Sequence, residues 1–304
     1  MMKEYKMMKV KGREIYLTAG DFTFYVILDI FLVFILVIVA VPMWSVITLS
    51  FRPNDFIGSN LEGMFLAPWK WSTAAYKALL GNNGFLNAFF NSLKIFVFGI
   101  TSALFLTVPL AYVLSVKSLP GRKFLTILIL IPYLFNVGII PSYLVVTKLG
   151  LTNHLAAIFL PGAISTYNCL IMRGFFEGIP DELKESARID GASELRVLLS
   201  IVLPVSKPIL LTIGLYYGVT FWNDFFHAML YINNNSLQPL PILLRNILMA
   251  SGMNEFVEVS AFGNANVQAI KAASVFMSAI PMIIAYPFIQ KYFTKGTMLG
   301  SVKG

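Results

Sequence analysis

The charged side chains that could make specific contacts with a partner are concentrated in one segment, residues 177–208 (EGIPDELKESARIDGASELRVLLSIVLPVSKP). Only 12% of the 304 residues are charged, about half of the roughly 25% that is usual for soluble domains. Long apolar stretches flank the segment on both sides. Packing explains such a polar insertion poorly, whereas charge-assisted hydrogen bonds to a soluble partner explain it well.

The order of residues in this segment predicts a helix, a glycine turn and a second helix. Pro180 suits the first turn of a helix, and Asp181 and Glu182 place negative charge at its N-terminus. Gly191 is typical of a helix end, and Ser193 can cap the helix that follows. The first helix could lie at the membrane surface as a connector or fill a groove of a soluble partner, and composition does not decide between the two.

Two faces are predicted on the first helix. Leu183 and Ala187 lie one turn apart and predict an apolar face. Lys184, Glu185 and Arg188 predict a polar flank beside it.

The surrounding chain predicts an all-α, polytopic membrane protein. Hydrophobic residues make up 57% of the sequence, and the mean hydropathy is +0.75. Six apolar segments come near or above the roughly 20 residues that cross a bilayer. They lie at about 22–50, 87–116, 123–147, 153–176, 206–231 and 268–292. Residues 1–21 are predicted to form a cytoplasmic N-terminal segment, and residues 22–304 one membrane domain.

Positive charge predicts the orientation of these spans. If the N-terminus is cytoplasmic, most Lys and Arg residues fall in the cytoplasmic connections, and few fall outside. This asymmetry is typical of membrane proteins. Both termini are therefore predicted to be cytoplasmic, with the segment 177–208 on the same side.

Several classes of function receive no support from the sequence. The net charge of +8 resides at the ends of apolar segments, which does not suit nucleic acid binding. Cys169 is the single cysteine, so no intrachain disulfide or cysteine-based metal cluster is expected. His154 and His227 lie far apart, no G-x-x-x-x-G-K-[ST] phosphate loop occurs, and no catalytic or metal-binding residue is predicted.

The segment 177–208 also resembles the EAA signature of binding-protein-dependent ABC importer permeases. That pattern is EAA, three residues, Gly, nine residues and I-x-L-P. Here it corresponds to Glu185-Ser186-Ala187, Gly191 and Ile201-Val202-Leu203-Pro204. The spacing fits at every step, and Ser186 in place of the middle alanine is the one departure.

Three further motifs resemble carbohydrate-uptake permeases of the MalG type. These are IDGAS at 189–193, W-N-D-F at 222–225 and the C-terminal run FIQKYFTKGTMLGSVKG. The N-terminal run GDFTFYVILDIFLVFILVIVAVPMWSVITLSF is most similar to the LplC-type branch, which is associated with complex and pectin-derived oligosaccharides.

The resemblance implies a type I ABC importer permease (MetI-like) fold with six transmembrane helices in a bacterial cell membrane. It implies that the EAA helix is the coupling helix, which sits in a groove of a cytoplasmic ATPase subunit. It also implies that the tail at 293–304 reaches towards the ATPase dimer. The residues that match the motif are Glu185, Ser186, Ala187, Asp190, Gly191, Ile201, Leu203 and Pro204.

The partners that the resemblance implies are separate chains in the lipid bilayer and on both sides of it. They are a second, related permease forming a heterodimer, two ABC ATPase subunits that carry ATP and Mg²⁺, and an extracytoplasmic sugar-binding protein. The chain itself is then not an enzyme, and alternating access is driven through the coupling helix. An ion-coupled secondary transporter that does not use ATP is the main alternative, and an integral-membrane enzyme is a third hypothesis.

Polar and aromatic residues inside the predicted spans are candidates for the substrate path, because such residues are costly in lipid and usually face the interior. Aromatic rings with neighbouring amides would suit an oligosaccharide, and hydrogen bonding between helices is the alternative role. Asp224 belongs to the family motif and is interpreted as structural. The candidates are Tyr133, Asn136, Tyr143, Tyr167, Asn168, Trp222, Asn223 and His227.

Overall fold

The computed structural model describes residues 6–10, 13–17, 19–135, 137–249 and 266–300. The side chains of residues 21–135, 137–249 and 266–287 are described with them. The helices are α1 (Ala19–Ser50), α2 (Asn60–Met64), α3 (Ala74–Gly81), α4 (Asn83–Ser115), α5 (Arg122–Leu134), α6 (Ile139–Lys148), α7 (Ala156–Phe159), α8 (Thr166–Glu177), α9 (Asp181–Ile189), α10 (Glu194–Val197), α11 (Leu203–Val205), α12 (Lys207–Trp222), α13 (Phe226–Tyr231), α14 (Leu240–Met249) and α15 (Val267–Gly300).

The described chain is almost entirely helical, which confirms the predicted all-α class. One short antiparallel hairpin precedes α1, formed by β1 (Lys6–Val10) and β2 (Arg13–Leu17), with Lys6 opposite Leu17. The sequence analysis did not predict this hairpin, because its strands are short and charged. The predicted boundary after residue 21 and the cytoplasmic location of this segment stay predictions.

By internal contacts the chain divides into two compact units. The first unit is Met1–Tyr76 together with Ala265–Phe276, and the second is Lys77–Asn264 together with Met277–Gly304. In the first unit, α1 exposes apolar side chains on all sides from Phe22 to Trp44. A helix that is apolar all round requires an apolar environment, which for 30 residues between Asp21 and Ser50 is a bilayer. After α1, Ser50 Oγ lies 2.6 Å from the hydroxyl of Tyr76.

The core of the second unit is built around α4, which packs along both α8 and α12. Helices α4 and α12 pack closely at Gly99 of α4, where a Cβ would lie 2.5 Å from the ring of Phe221. Small residues allow such close packing between membrane helices. Tyr217 of α12 then joins three elements, because its hydroxyl lies 2.8 Å from Thr107 Oγ1 and accepts a 2.9 Å hydrogen bond from the Ser165 backbone.

The loop after α13 is attached to the N-terminal half of α4 and to the loop before α7. Asn91 Nδ2 donates to the carbonyl of Ser236 at 2.9 Å, and Ser92 Oγ accepts from the Leu240 backbone at 2.8 Å. Asn153 Oδ1 accepts from the backbone of Asn233 at 2.7 Å. The bond to Leu240 satisfies a buried backbone N–H, and the other two attach exposed parts of the loop.

Within the described residues, three helices are long and apolar enough to cross a membrane: Asp21–Ser50, Asn83–Ser115 and Val267–Pro287. Two further pairs would each make one broken span. Arg122–Leu134 and Ile139–Lys148 meet at 112°, and Glu194–Val205 and Lys207–Trp222 meet at 86°.

The predicted count of six spans therefore stays a prediction. The stretch predicted as the fourth span, residues 153–176, forms α7 and α8 rather than one long helix. Pro161 and Gly162 lie in the break between them. The 12 residues of α8 extend only about 18 Å, less than the roughly 30 Å of a bilayer core.

The close approach at Gly99 gives a test of the packing. Gly99→Ala is expected to destabilise the protein by about 1–3 kcal/mol, because the added methyl group must displace the buried ring of Phe221. Gly174→Ala is the matched control, since a Cβ there meets nothing within 4 Å and a helical Gly→Ala change is mildly stabilising. Thermal unfolding in detergent should show a lower Tm for Gly99→Ala only. An equal Tm for the two variants would contradict the packing described.

Candidate coupling site and polar cavity

Helix α9 ends in a Schellman motif, the turn in which a left-handed residue closes a helix. Gly191 has φ +82°. Its N–H donates to the carbonyl of Arg188 at 3.0 Å, and the N–H of Ala192 donates to the carbonyl of Ala187 at 2.9 Å. The predicted helix, glycine turn and second helix are confirmed. Glycine is favoured at 191 by its backbone angle, since a Cβ there would meet nothing within 4 Å.

The face of α9 that packs on the bundle differs from the prediction. Ala187 and Ala192 are half-buried against the main core, but Leu183 is 45% exposed. Lys184, predicted on a polar flank, is buried: its Nζ donates to the carbonyl of Phe176 at 3.4 Å and to Asp181 Oδ1 at 2.9 Å. A cation is favourable at the C-terminal end of α8, where the helix dipole places partial negative charge on the last carbonyls. The Lys184 ammonium also lowers the pKa of the Asp181 carboxyl.

A hydrogen-bonded group joins α9 to the end of α4. The guanidinium of Arg188 donates twice to Glu194, from Nε to Oε1 at 2.7 Å and from Nη2 to Oε2 at 3.2 Å. The buried Tyr112 hydroxyl donates to the same Oε2 at 2.6 Å. Glu194 raises the pKa of the Arg188 guanidinium further above its usual range. Charge-assisted and bidentate bonds of this kind are stronger and more directional than neutral ones, so they fix α9 in place.

A second group of ion pairs fixes the C-terminal end of α8, from which the chain continues to α9. Glu177, the last residue of α8, pairs with Arg122 and, at 2.9 Å, with Arg173 Nε. Arg122 Nε also donates to the carbonyl of Leu114 at 2.7 Å. Arg173 Nη1 donates to Thr126 Oγ1 at 3.3 Å. The ends of α4, α5 and α8 are thereby connected.

The chain after Gly191 returns to the bundle through an irregular helix. Ser193 Oγ accepts from the Arg196 backbone at 3.4 Å and caps α10, as predicted. Leu198–Val202 then forms a π-turn, which ends two residues before Pro204. In a regular helix a proline ring meets the carbonyl four residues earlier, and the wider π-turn gives it room. Ile201 and Leu203 are half-buried, Pro204 is exposed, and α12 follows at 86°.

The outer surface of α9 exposes both acidic and apolar side chains. Glu185 and Asp190 are exposed, and their side chains have no hydrogen bond or ion pair within the described part of the chain. Ser186 donates its hydroxyl to the carbonyl of Leu183 at 3.2 Å. Ile189 is 86% exposed. This surface is available to another molecule.

Two of the predicted substrate-path residues lie together in a cavity of about 590 Å³. Tyr167 and Asn168 line it from the first turn of α8, with Ser165, and Tyr216, Thr220 and Tyr286 line it from α12 and α15. Sequence reasoning missed Ser165, Tyr216, Thr220 and Tyr286. All four lie inside predicted spans, so the criterion of a polar residue in a span could have found them.

The other candidates lie elsewhere. Trp222 is 4% exposed, packs edge-on against Phe89 and Phe96, and donates Nε1 to the carbonyl of Ser278 at 3.1 Å, which is a helix-packing role. Asn223 Nδ2 donates to the Val219 carbonyl of its own helix at 2.9 Å.

His227 and Tyr143 form a separate aromatic group on the ring of Tyr231, with centroid distances of 6.0 and 6.1 Å. His227 Nδ1 lies 2.7 Å from Asp224 Oδ2, which fits the structural interpretation of Asp224. Tyr133 is 59% exposed. Asn136 lies outside the described residues.

Comparison with known proteins decides the family. A model described as "Binding-protein-dependent transport system inner membrane component" matches residues 17–298. The chain belongs to this family. It is therefore a membrane permease component of an ATP-driven importer, and the predicted fold and family are confirmed.

Two similar proteins of this family come from one bacterium. The chain is 38% identical over 276 residues to the polygalacturonan/rhamnogalacturonan transport system permease protein YtcP of Bacillus subtilis (strain 168), covering 90% of this chain and 96% of that one. It is 39% identical over 269 residues to Protein LplC of the same organism, with coverages of 88% and 90%. The predicted similarity to the LplC-type branch is confirmed.

A solved structure has the same fold. It is a chain of a bacterial ABC transporter involved in the import of the acidic polysaccharide alginate, with a TM-score of 0.83 and 29% identity. The match covers 92% of this chain and 99% of that one.

The bonds to Glu194 can be measured by a double-mutant cycle. Tyr112→Phe and Glu194→Ala are expected to couple by about 1 kcal/mol, because the phenol donates to a partly exposed carboxylate. The cycle is read from unfolding in detergent. Tyr25→Phe combined with Glu194→Ala is the control and should be additive, since Tyr25 is an exposed residue of α1. If the changes in the free energy of unfolding were additive in both pairs, the hydrogen bond from Tyr112 to Glu194 would contribute nothing to stability.

Proposed function

We propose that the chain is the permease subunit that translocates an oligosaccharide delivered by an extracytoplasmic binding protein, and that α9 is its coupling helix. The observation that carries the coupling role is the geometry of α9. One face is hydrogen-bonded to the bundle through Arg188 and Lys184, and the other exposes the unpaired Glu185. The substrate class is supported by the names of relatives, which include transporters of polygalacturonan/rhamnogalacturonan and of arabinooligosaccharides.

The coupling contact uses the two faces differently. Glu185 accepts a charge-assisted hydrogen bond from a basic residue in the groove of the ATPase subunit, and Leu183 and Ile189 supply apolar contact. Ala187 is directed towards the bundle core, and Gly191 sets the turn. Both act by positioning the helix, and neither needs to touch the partner.

The remaining partners of the proposal are supported by the family. Two ABC ATPase subunits carry ATP and Mg²⁺, and a second, related permease completes the membrane part as a heterodimer. The asymmetry of Lys and Arg supports a cytoplasmic location for both termini. The backbone of the tail at 293–304 continues as helix to Gly300; its side chains and last four residues lie outside the described part.

Transport proceeds by alternating access. When the ATPase subunits close, they displace α9, and its bonds to Glu194 and to the end of α8 carry the displacement into α4, α8 and α12. A conformational change is driven only by partners that bind the two states differently, and the groove of the ATPase supplies that difference. The family favours this ATP-driven mechanism over an ion-coupled secondary transporter.

Reversal of the charge at Glu185 tests the coupling role. In vesicles containing the complete importer, Glu185→Arg is expected to lower ATP-dependent sugar uptake at least about tenfold, a loss of roughly 1.4 kcal/mol or more in coupling. The abundance of the permease in the membrane should not change, because the exposed Glu185 side chain has no hydrogen bond or ion pair within the described part of the chain.

Asp55→Arg is the matched control. It makes the same change of charge at an exposed position in a loop predicted to lie outside the membrane, and uptake should remain normal. Normal uptake by Glu185→Arg as well would show that the coupling role is wrong.

A further inference from the structure

We propose that the cavity between α8 and α12 binds one uncharged sugar ring of the transported oligosaccharide. This rests on the proposed function and narrows it, because it assigns a substrate contact to this subunit and a charge class to the sugar unit. The volume of about 590 Å³ lies within the roughly 300–1,000 Å³ of small-molecule sites.

Asn168 is the strongest indication of a ligand. The residue is only 6% exposed, yet its carboxamide makes no hydrogen bond within the described part of the chain, while its backbone N–H is used to cap α8 at Ser165 Oγ. The carboxamide atoms are not among the fully buried polar atoms without a partner, and the residue lines the cavity, so they are accessible to a ligand there. A carboxamide both donates and accepts, so it can bind two neighbouring hydroxyl groups of a sugar.

Three tyrosine hydroxyls of the cavity are also unused, whereas the Thr220 hydroxyl donates to the Tyr216 carbonyl at 2.8 Å. The hydroxyls of Tyr167, Tyr216 and Tyr286 have no hydrogen bond within the described residues. Ser165 Oγ accepts from the backbone and keeps its own proton to donate. Aromatic rings beside free donors and acceptors suit a pyranose, which presents apolar C–H faces and hydroxyl edges.

The lack of charged side chains in the cavity favours an uncharged sugar ring. None of the side chains that line it is charged at neutral pH. A uronic acid carboxylate entering here would lose its water without gaining a cation, which is strongly unfavourable. A neutral ring loses only hydroxyl hydration, and the cavity replaces those hydrogen bonds.

The position of the cavity links it to the coupling helix. Two of its walls are the start of α8 and the C-terminal half of α12, and these are the two helices that flank the segment 177–208 in the chain. The hydroxyl of the buried Tyr217 holds the two walls together through the Ser165 backbone. A displacement of α9 and α10 therefore changes the width of the cavity.

The test measures binding to the nucleotide-free importer complex in lipid nanodiscs, without binding protein, by saturation-transfer NMR. The probes are galactotetraose and tetragalacturonate. They differ at C6, where the first has a hydroxymethyl group and the second a carboxylate. Galactotetraose should bind at least tenfold more tightly. Asn168→Leu, which keeps the size of the side chain, should weaken galactotetraose binding about tenfold.

Two further variants keep the test decisive. Tyr216→Phe removes only a hydroxyl and should weaken galactotetraose binding about threefold, even if Asn168→Leu does not fold. Thr101→Val is the control: Thr101 lies exposed on α4, its hydroxyl donates to its own helix, and binding should be unchanged.

Equal binding of the two sugars, no binding of galactotetraose, or normal binding by both cavity variants would overturn the cavity assignment. ATP-dependent uptake is measured in parallel. If uptake depends on ATP but the cavity variants bind galactotetraose normally, the cavity assignment is wrong and the proposed function stands. Uptake that does not depend on ATP overturns the proposed function.

Discussion

The hydrogen bonds that Arg188 and Tyr112 donate to the Glu194 carboxylate are the constraint on which the rest depends. A nine-residue helix such as α9 is too short to be stable in water by itself. It is stable here because the glycine turn returns the chain to Glu194, and because Lys184 attaches the start of α9 to the carbonyl end of α8. The helix is thereby held as part of the bundle while its acidic surface stays exposed.

In the proposed mechanism, this attachment gives α4 a central mechanical role. The C-terminal end of α4 contributes Tyr112 and the carbonyl bound by Arg122, and its length packs along α8 and α12. At Gly99 the packing is too close to admit a methyl group, and Tyr217 adds hydrogen bonds between α4, α12 and the start of α8. Closely packed interiors transmit displacement rather than absorb it, so a force on α9 reaches the cavity between α8 and α12.

Much of the local structure could be predicted from the sequence, since Pro180 and Gly191 act through their own backbone preferences and Ser193 through a hydrogen bond to the next turn. The burial of Lys184 could not, because it depends on where the last carbonyls of α8 come to lie. The apolar content of residues 153–176 predicted one span, but the break at Pro161 and Gly162 divides it. Asn168 and Trp222 are similar as polar residues within apolar segments; only the packed structure places one in a cavity and the other between Phe89 and Phe96.

The most direct test of the account asks whether α9 moves as one body with the end of α4. Spin labels at Ser186→Cys and Val113→Cys, both exposed positions, allow their distance to be measured by double electron–electron resonance, and the native Cys169 is buried. In the complete importer, the account predicts the same narrow distance distribution in the nucleotide-free and ATP-bound states. A distribution that shifts or broadens when ATP binds would contradict it.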